Sequence, residues 1–133
     1  MHVHGSCHCG LVRYEADVDP ARTAICHCVD CQRLTGTAYR VSVPALEGTF
    51  RITRGSPSVY VKLGDSGARR AQGFCDTCGS PLYSCDADNP TVYGLRTGCI
   101  AEREALVPQR QKWCRSALAW TRSLDGLARQ EKE

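Results

Sequence analysis

The cysteines of this chain constrain its fold more than any other feature. Ten cysteines occur among its 133 residues, and seven of them fall into three short groups. The groups are a Cys-x-Cys pair, a Cys-x-Cys-x-x-Cys trio and a Cys-x-x-Cys pair: Cys7 and Cys9; Cys26, Cys28 and Cys31; Cys75 and Cys78. Thiols separated by one or two residues lie close enough on a tight loop to hold one metal ion. We therefore expect the chain to fold around metal.

Disulfides are a weaker explanation for these thiols. The first six residues contain neither the basic region nor the apolar region of a secretory signal. We accordingly expect a cytoplasmic protein whose cysteines stay reduced. The three cysteines outside the groups are predicted to be small buried apolar residues, as lone cysteines usually are: Cys85, Cys99 and Cys114.

Seven grouped thiols are too many for one tetrahedral zinc ion, which takes four ligands. The two pairs can close a four-cysteine structural site, built from Cys7, Cys9, Cys75 and Cys78. The trio supplies three ligands and leaves a fourth position open, which is the pattern of catalytic zinc. A competing division completes the trio with Cys85, Cys99 or Cys114. Spacing alone leaves both divisions open.

Glycines and histidines near the thiols refine this prediction. Gly10 follows Cys9 and Gly79 follows Cys78, which favours tight turns beneath the metal. His8 and His27 each lie between two thiols, and neighbours on an extended segment point to opposite sides. They are therefore predicted to lie near the metal or at the surface rather than to bind it, with proton transfer as the alternative role for His27. A mobile terminus is predicted for His2 and His4.

Composition excludes several classes of protein. A hydrophobic content of 42% is ordinary for a globular domain, and the length suits a single domain over residues 1–133. No apolar stretch approaches the about 18 residues of a membrane helix. The net charge of +3 is spread along the chain. We therefore expect neither a membrane nor a nucleic acid as partner.

Beyond the cysteine groups the chain is predicted to be mainly β. Apolar and polar residues alternate, or form strand-like runs, in the segments 11–16, 39–43, 49–54, 58–63, 69–74 and 91–97. Helices are expected only over residues 29–34, ended by Gly36, and over residues 101–106. Trp113 and Trp120 are predicted to cover one end of the core, or else one of them lines a pocket beside the second metal. Five arginines are candidates for an exposed surface or for binding carboxylates: Arg33, Arg40, Arg69, Arg70 and Arg96.

The order of the motifs resembles a known family. Gly-Ser-Cys-His-Cys-Gly at residues 5–10, Cys-His-Cys-Val-Asp-Cys at 26–31 and Phe-Cys-Asp-Thr-Cys-Gly at 74–79 are similar to the glutathione-dependent formaldehyde-activating enzymes, a family that includes the domain of centromere protein V. The resemblance covers about residues 5–127. It implies an Mss4-like fold, a β-tent of short antiparallel sheets with zinc-bearing loops. It also implies a structural zinc on the four paired cysteines and a second zinc on Cys26, Cys28 and Cys31.

The resemblance further implies an S-(hydroxymethyl)glutathione synthase, a carbon–sulfur lyase that joins glutathione and formaldehyde. Zinc can hold the incoming thiol as thiolate or can polarise the aldehyde oxygen. Because three thiolate ligands already weaken the Lewis acidity of the ion, we favour the first role. The chain departs from the family where Cys99 follows Gly98, at a position where Ser or Thr is expected.

Two other functions are kept as hypotheses. Residues 113–118 are faintly similar to the catalytic segment of B-type methionine sulfoxide reductases, which would make Cys114 a redox nucleophile. Against this hypothesis, Arg115 stands where Asn is expected. The other hypothesis is a binding module whose zinc is purely structural.

Overall fold

In the computed structural model, which describes residues 1–133, ten short strands form two sheets. The only α-helix, α1, spans Val29–Thr35. Five short 3-10 helices complete the regular structure. The strands are β1 (His2–Ser6), β2 (Arg13–Asp17), β3 (Ala24–Cys26), β4 (Arg40–Pro44), β5 (Arg51–Arg54), β6 (Ser58–Leu63), β7 (Arg69–Phe74), β8 (Pro81–Asp86), β9 (Gly94–Arg96) and β10 (Arg110–Lys112).

The smaller sheet has three strands in the order β1-β2-β5, and the larger has seven in the order β10-β3-β4-β9-β8-β7-β6. Every pairing is antiparallel except that of β10 with β3. The predicted fold class, mainly β with cysteine-bearing loops, is confirmed. No helix is long and apolar enough to cross a membrane.

The sequence predicted six of the ten strands and missed β1, β3, β8 and β10. The predicted segments 58–63 and 69–74 coincide with β6 and β7, and four others overlap β2, β4, β5 and β9. The prediction of a mobile terminus for His2 and His4 was wrong. Both residues lie in β1, because Val3 between them is fully buried and the whole strand pairs with β2.

The cysteine trio overlaps the start of α1. Cys28 caps α1, and its Sγ accepts a hydrogen bond from the Cys31 N–H over 3.3 Å. The helix ends at Gly36, which adopts φ 69° and donates its N–H to the Gln32 carbonyl. This helix was predicted, with its final glycine. The second predicted helix, over residues 101–106, is reduced to the 3-10 turn Arg103–Ala105.

The core lies between the two sheets and includes side chains from both. Tyr14 comes from the small sheet, and Leu82 and Leu95 come from the large one, and all three are almost completely buried. Two isolated bridges lie outside the strand pairings: Gly5 of β1 pairs with Ile100, and Val18, just after β2, pairs with Ala45, just after β4.

The three lone cysteines have different environments. Cys85 is buried in the core, as predicted, and Cys99 is half-buried against it. Cys114 is exposed, so the prediction of a buried apolar role was wrong for this residue. It begins a 3-10 turn, Cys114–Ser116, in the C-terminal segment outside the core.

Candidate metal centres and a cationic cavity

Two hairpin turns, one from each sheet, bring four thiols together. Cys7 and Cys9 lie in the turn between β1 and β2, and Cys75 and Cys78 lie in the turn between β7 and β8. The four sulfur atoms are all within 4.8 Å of one another. Cys9 Sγ lies 3.6 Å from Cys7 Sγ and 3.8 Å from Cys75 Sγ. This group, called the paired cluster below, could hold a zinc ion and would then join the two sheets.

The backbone around the paired cluster suits thiolate ligands. Gly10 and Gly79 have φ values of 79° and 77°, in the left-handed region that only glycine adopts without strain, so the predicted turns are confirmed. The Val12 N–H donates to Cys7 Sγ over 3.3 Å. The Ser80 hydroxyl lies 3.2 Å from Cys78 Sγ, and its hydrogen bond is the largest of several that together lower the pKa of that thiol to about 5. Such hydrogen bonds stabilise the charged form that binds metal.

The trio forms a second group that is built within one short segment. Cys26 ends β3, Cys28 caps α1 and Cys31 lies in the first turn of α1. Their sulfur atoms also lie within 4.8 Å of one another, and no further Cys, His, Asp or Glu belongs to the group. The fold therefore places none of the three possible fourth ligands of the competing division beside the trio: Cys85, Cys99 and Cys114. This group is called the trio below.

A cavity of about 530 Å³ opens beside the trio, and Cys26 and Cys31 form part of its wall. No Asp or Glu lines it. Five arginines and one lysine do: Arg22, Arg40, Arg70, Arg96, Arg110 and Lys112. None of these six makes an ion pair with a carboxylate. The cavity is therefore strongly cationic and suited to an anion.

Two of these arginines are buried. Arg40 and Arg96 are each only 6% exposed. Both donate to the uncharged side-chain oxygen of Gln72, and Arg96 also donates to the Ser42 hydroxyl over 2.9 Å. Arg96 Nε is buried without any partner. Burial and the nearby Arg40 charge both lower the pKa of Arg96. A bound carboxylate would compensate these charges.

Residues 2–116 match the sequence profile of the family described as "Glutathione-dependent formaldehyde-activating enzyme". The chain belongs to this family. Its fold also matches the crystal structure of a Rhodobacter sphaeroides protein, with a TM-score of 0.62 and 24% sequence identity. The match covers 82% of this chain and 99% of that one. This second likeness concerns the fold alone.

In this member of the glutathione-dependent formaldehyde-activating enzyme family, the tryptophans do not cover the core. Trp113 and Trp120 are 52% and 58% exposed, so that prediction was wrong. The alternative prediction holds for Trp113, which lines the cationic cavity with the trio. Trp113 adopts φ 56°, a left-handed conformation that is uncommon for a bulky residue. Trp113 is the single residue between the end of β10 at Lys112 and the 3-10 turn Cys114–Ser116.

A second cavity of about 600 Å³ adjoins the first and is mainly apolar at its walls. Tyr39, Trp120 and Leu124 line it, and Arg40 and Arg96 contribute to both cavities. Cys99, the departure from the family pattern, also lies in this wall. Cys99 belongs to neither cysteine group.

The histidine beside the trio is buried rather than exposed. His27 is 2% exposed, and its Nε2 lies 2.7 Å from the Gln111 side-chain oxygen. Its ring packs edge-on against Tyr39. The alternative of a surface position was therefore wrong for His27, because the pairing of β3 with β10 encloses it. His8 is exposed, as that alternative predicted.

Sequence reasoning found some of the cationic residues and missed others. Among the candidate arginines, Arg40, Arg70 and Arg96 line the cationic cavity. Arg33 does not, and Arg69 instead pairs with Asp88. The missed cations are Arg22, Arg110 and Lys112. The alternation Arg110-Gln111-Lys112 was a usable signal, since it places two cations on one face of a strand.

Proposed function

We propose that this protein is a zinc-dependent carbon–sulfur lyase of the S-(hydroxymethyl)glutathione synthase type. Its substrates are an anionic thiol of the glutathione class and formaldehyde or a related small aldehyde. The observation that carries the proposal is the position of the trio, two of whose cysteines, Cys26 and Cys31, line a cavity with six cations and no acid. Membership of the glutathione-dependent formaldehyde-activating family supports the same assignment.

The metal assignment in this proposal is two zinc ions per chain, in one domain over residues 1–133. The paired cluster holds a structural zinc with four thiolates and no position for substrate. The trio holds the second zinc with three thiolates and one open position. The mutual distances of the sulfur atoms support both sites. The chemistry that bound zinc supplies at the trio is a lowered pKa for a substrate thiol.

The arginines of the cavity determine which thiols fit. Glutathione carries two carboxylates, and an arginine fork can bind a carboxylate through two parallel hydrogen bonds. Arg40 and Arg96 donate only to uncharged acceptors, among them the Gln72 oxygen that they share, so a substrate carboxylate would satisfy charges that the protein leaves uncompensated. Their burial strengthens that attraction, because low-dielectric surroundings screen charge poorly. The cations would thus anchor the thiol while its sulfur lies at the trio.

The reaction joins the two substrates without an oxidant or a reductant. The thiol sulfur attacks the aldehyde carbon, so a carbon–sulfur bond forms and the carbonyl double bond becomes a single bond. The proton lost by the thiol ends on the former carbonyl oxygen, which gives the hydroxymethyl thioether. The reverse step returns that proton and releases the aldehyde. Holding the thiol in place makes the encounter effectively intramolecular.

The test is native mass spectrometry together with an adduct-formation assay on the reduced protein. We expect two zincs per chain, and about a 100-fold or greater loss of activity with one zinc fewer in Cys28→Ser. Cys114→Ser is the matched control, because this exposed thiol lies outside both groups. One zinc in the wild type, or full activity in Cys28→Ser, would overturn the proposal. Sulfoxide reduction that disappears in Cys114→Ser would establish the redox alternative instead.

Zinc content and thiol binding separate the remaining hypotheses. A purely structural binding module would show neither glutathione binding nor catalysis at any zinc content. If Cys28→Ser lost aldehyde turnover but kept full thiol affinity, the thiolate-holding role of the second zinc would be wrong. Isothermal titration with glutathione measures that affinity directly.

A further inference from the structure

A third group of ligand-type side chains lies on the small sheet, separate from both cysteine groups. Ligand atoms of His2, His4 and Glu15 are all within 4.8 Å of one another. His2 and His4 are two residues apart on β1 and so share one face of the strand. Glu15 is the register partner of His4 on β2. The antiparallel pairing of β1 with β2 therefore brings the ligand atoms of three side chains close together.

Two carboxylates hold the histidine rings in place. His2 Nδ1 lies 2.8 Å from Asp17 Oδ1, and His4 Nδ1 lies 2.8 Å from Glu102 Oε1. With Nδ1 engaged in each ring, Nε2 is the nitrogen that remains for another partner. His2 Nε2 already lies 4.0 Å from Glu15 Oε2. A carboxylate behind each imidazole is the usual support of a metal-binding histidine, since it fixes the tautomer and the ring orientation.

We propose that His2, His4 and Glu15 bind a divalent transition-metal ion, with Zn²⁺ as the probe of choice. Two imidazole nitrogens and one carboxylate oxygen form a ligand set that such ions accept. Donors around a tetrahedral zinc are roughly 3.3 Å apart, so the side chains must approach by less than about 1.5 Å. Both histidines are exposed at the protein surface, so this movement must adjust their bonds to Asp17 and Glu102 but disturbs no core packing. The remaining coordination positions face water.

One neighbouring charge competes with the metal. Arg51 on β5 forms an ion pair with Glu15 and lowers the pKa of that carboxyl. A metal ion at this site must therefore share or displace the guanidinium. If the site binds metal, removing the Arg51 charge should raise the affinity for the ion. If Arg51 and Glu15 only help β2 to pair with β5, the same change should lower the stability of the fold and should not raise metal affinity. This opposite sign makes Arg51 a sharp test of the site.

The experiment is a zinc titration of the reduced, zinc-loaded protein, followed by native mass spectrometry, calorimetry and NMR of the histidine rings. We expect one zinc beyond those on the cysteines, with shifts at the His2 and His4 rings. His2→Ala, His4→Ala and Glu15→Gln should each weaken this binding at least tenfold, and Arg51→Met should strengthen it several-fold. His8→Ala is the matched control, because that exposed ring lies outside the group.

Two results would overturn the inference. One is the absence of any additional zinc in the wild type. The other is binding that His2→Ala removes but that His4→Ala and Glu15→Gln leave unchanged, because the terminal amine and His2 alone would then chelate the ion. The readouts concern only this extra ion. They are therefore independent of whether the cysteine groups perform the proposed reaction.

Discussion

Arg40 and Arg96 donate hydrogen bonds to the same atom, the side-chain oxygen of Gln72, over 3.3 Å and 3.0 Å. Two buried positive charges thus share one neutral acceptor, at the boundary between the cationic cavity and the apolar one. Uncompensated buried charge destabilises a fold unless something binds to it. The proposed anionic substrate is what this arrangement would bind.

Gln72→Glu should stabilise the protein and weaken its binding of glutathione. The new carboxylate would pair with both guanidiniums, and a charged hydrogen bond contributes about 1.5–3 kcal/mol. It would also repel a substrate carboxylate, so we expect a glutathione Kd at least tenfold higher. Denaturant unfolding and calorimetry measure the two effects. Gln72→Met is the control, since it removes the acceptor and adds no charge. Unchanged glutathione affinity in Gln72→Glu would contradict the anion-binding role.

The two cysteine groups should differ in their effect on stability. Cys75→Ser should lower the free energy of unfolding by on the order of several kcal/mol, because zinc bound by the paired cluster would link two sheets and its binding energy is folding energy. Cys28→Ser should lower it by less than about 1 kcal/mol, since the trio lies within one short segment and connects nothing distant. Thermal unfolding of both variants checks this. Equal destabilisation would show that the trio is also a structural site.

Gly5→Ala should destabilise the protein by about 1–3 kcal/mol, because an added Cβ would lie 2.0 Å from the buried ring of Tyr14. Tyr14 is the register partner of Gly5, so its ring covers the glycine directly. Gly126→Ala is the matched control, since a Cβ there meets no atom within 4 Å. Denaturant unfolding at neutral pH compares the two variants. A Gly5→Ala variant as stable as the control would mean that the ring does not occupy this position.

The ion pair of His4 with Glu102 should make stability depend on pH. The hydrogen bond to Glu102 raises the pKa of His4 above its ordinary 6.5. Partial burial raises the pKa of Glu102, but the bonds from His4 outweigh it and lower that pKa below 4.5. The stabilisation is therefore complete between about pH 4.5 and 6.5. It is lost as the pH rises through the His4 pKa, and again as it falls through the Glu102 pKa.

Glu102→Gln tests this dependence in protein without added metal. The difference in melting temperature between wild type and variant should be largest near pH 5.5 and should shrink by pH 9. Glu104→Gln, on the same 3-10 turn, is the control because Glu104 makes no ion pair. A difference that stays constant from pH 5.5 to 9 would show that His4 does not titrate against Glu102.

Local patterns were sufficient for features that depend on neighbouring residues. Alternating side chains predicted β6 at its observed bounds, and Gly36 predicted the end of α1. They failed for β1, β3, β8 and β10 and for the burial of His27. The residues on either side of His27, Cys26 and Cys28, give no sign that its ring is buried. Its environment depends on β10, which pairs with β3 from more than eighty residues further along the chain.

The sequence by itself determined that seven cysteines act in groups, because spacing within a loop sets how closely two sulfur atoms can approach. It also determined the family, through three motifs in a definite order. Only the tertiary structure decided which groups meet and what surrounds them. It joined the β1–β2 and β7–β8 turns, and it placed Arg40 and Arg96 without a carboxylate beside the trio. Such relations arise from the pairing of distant strands, and no local spacing encodes them.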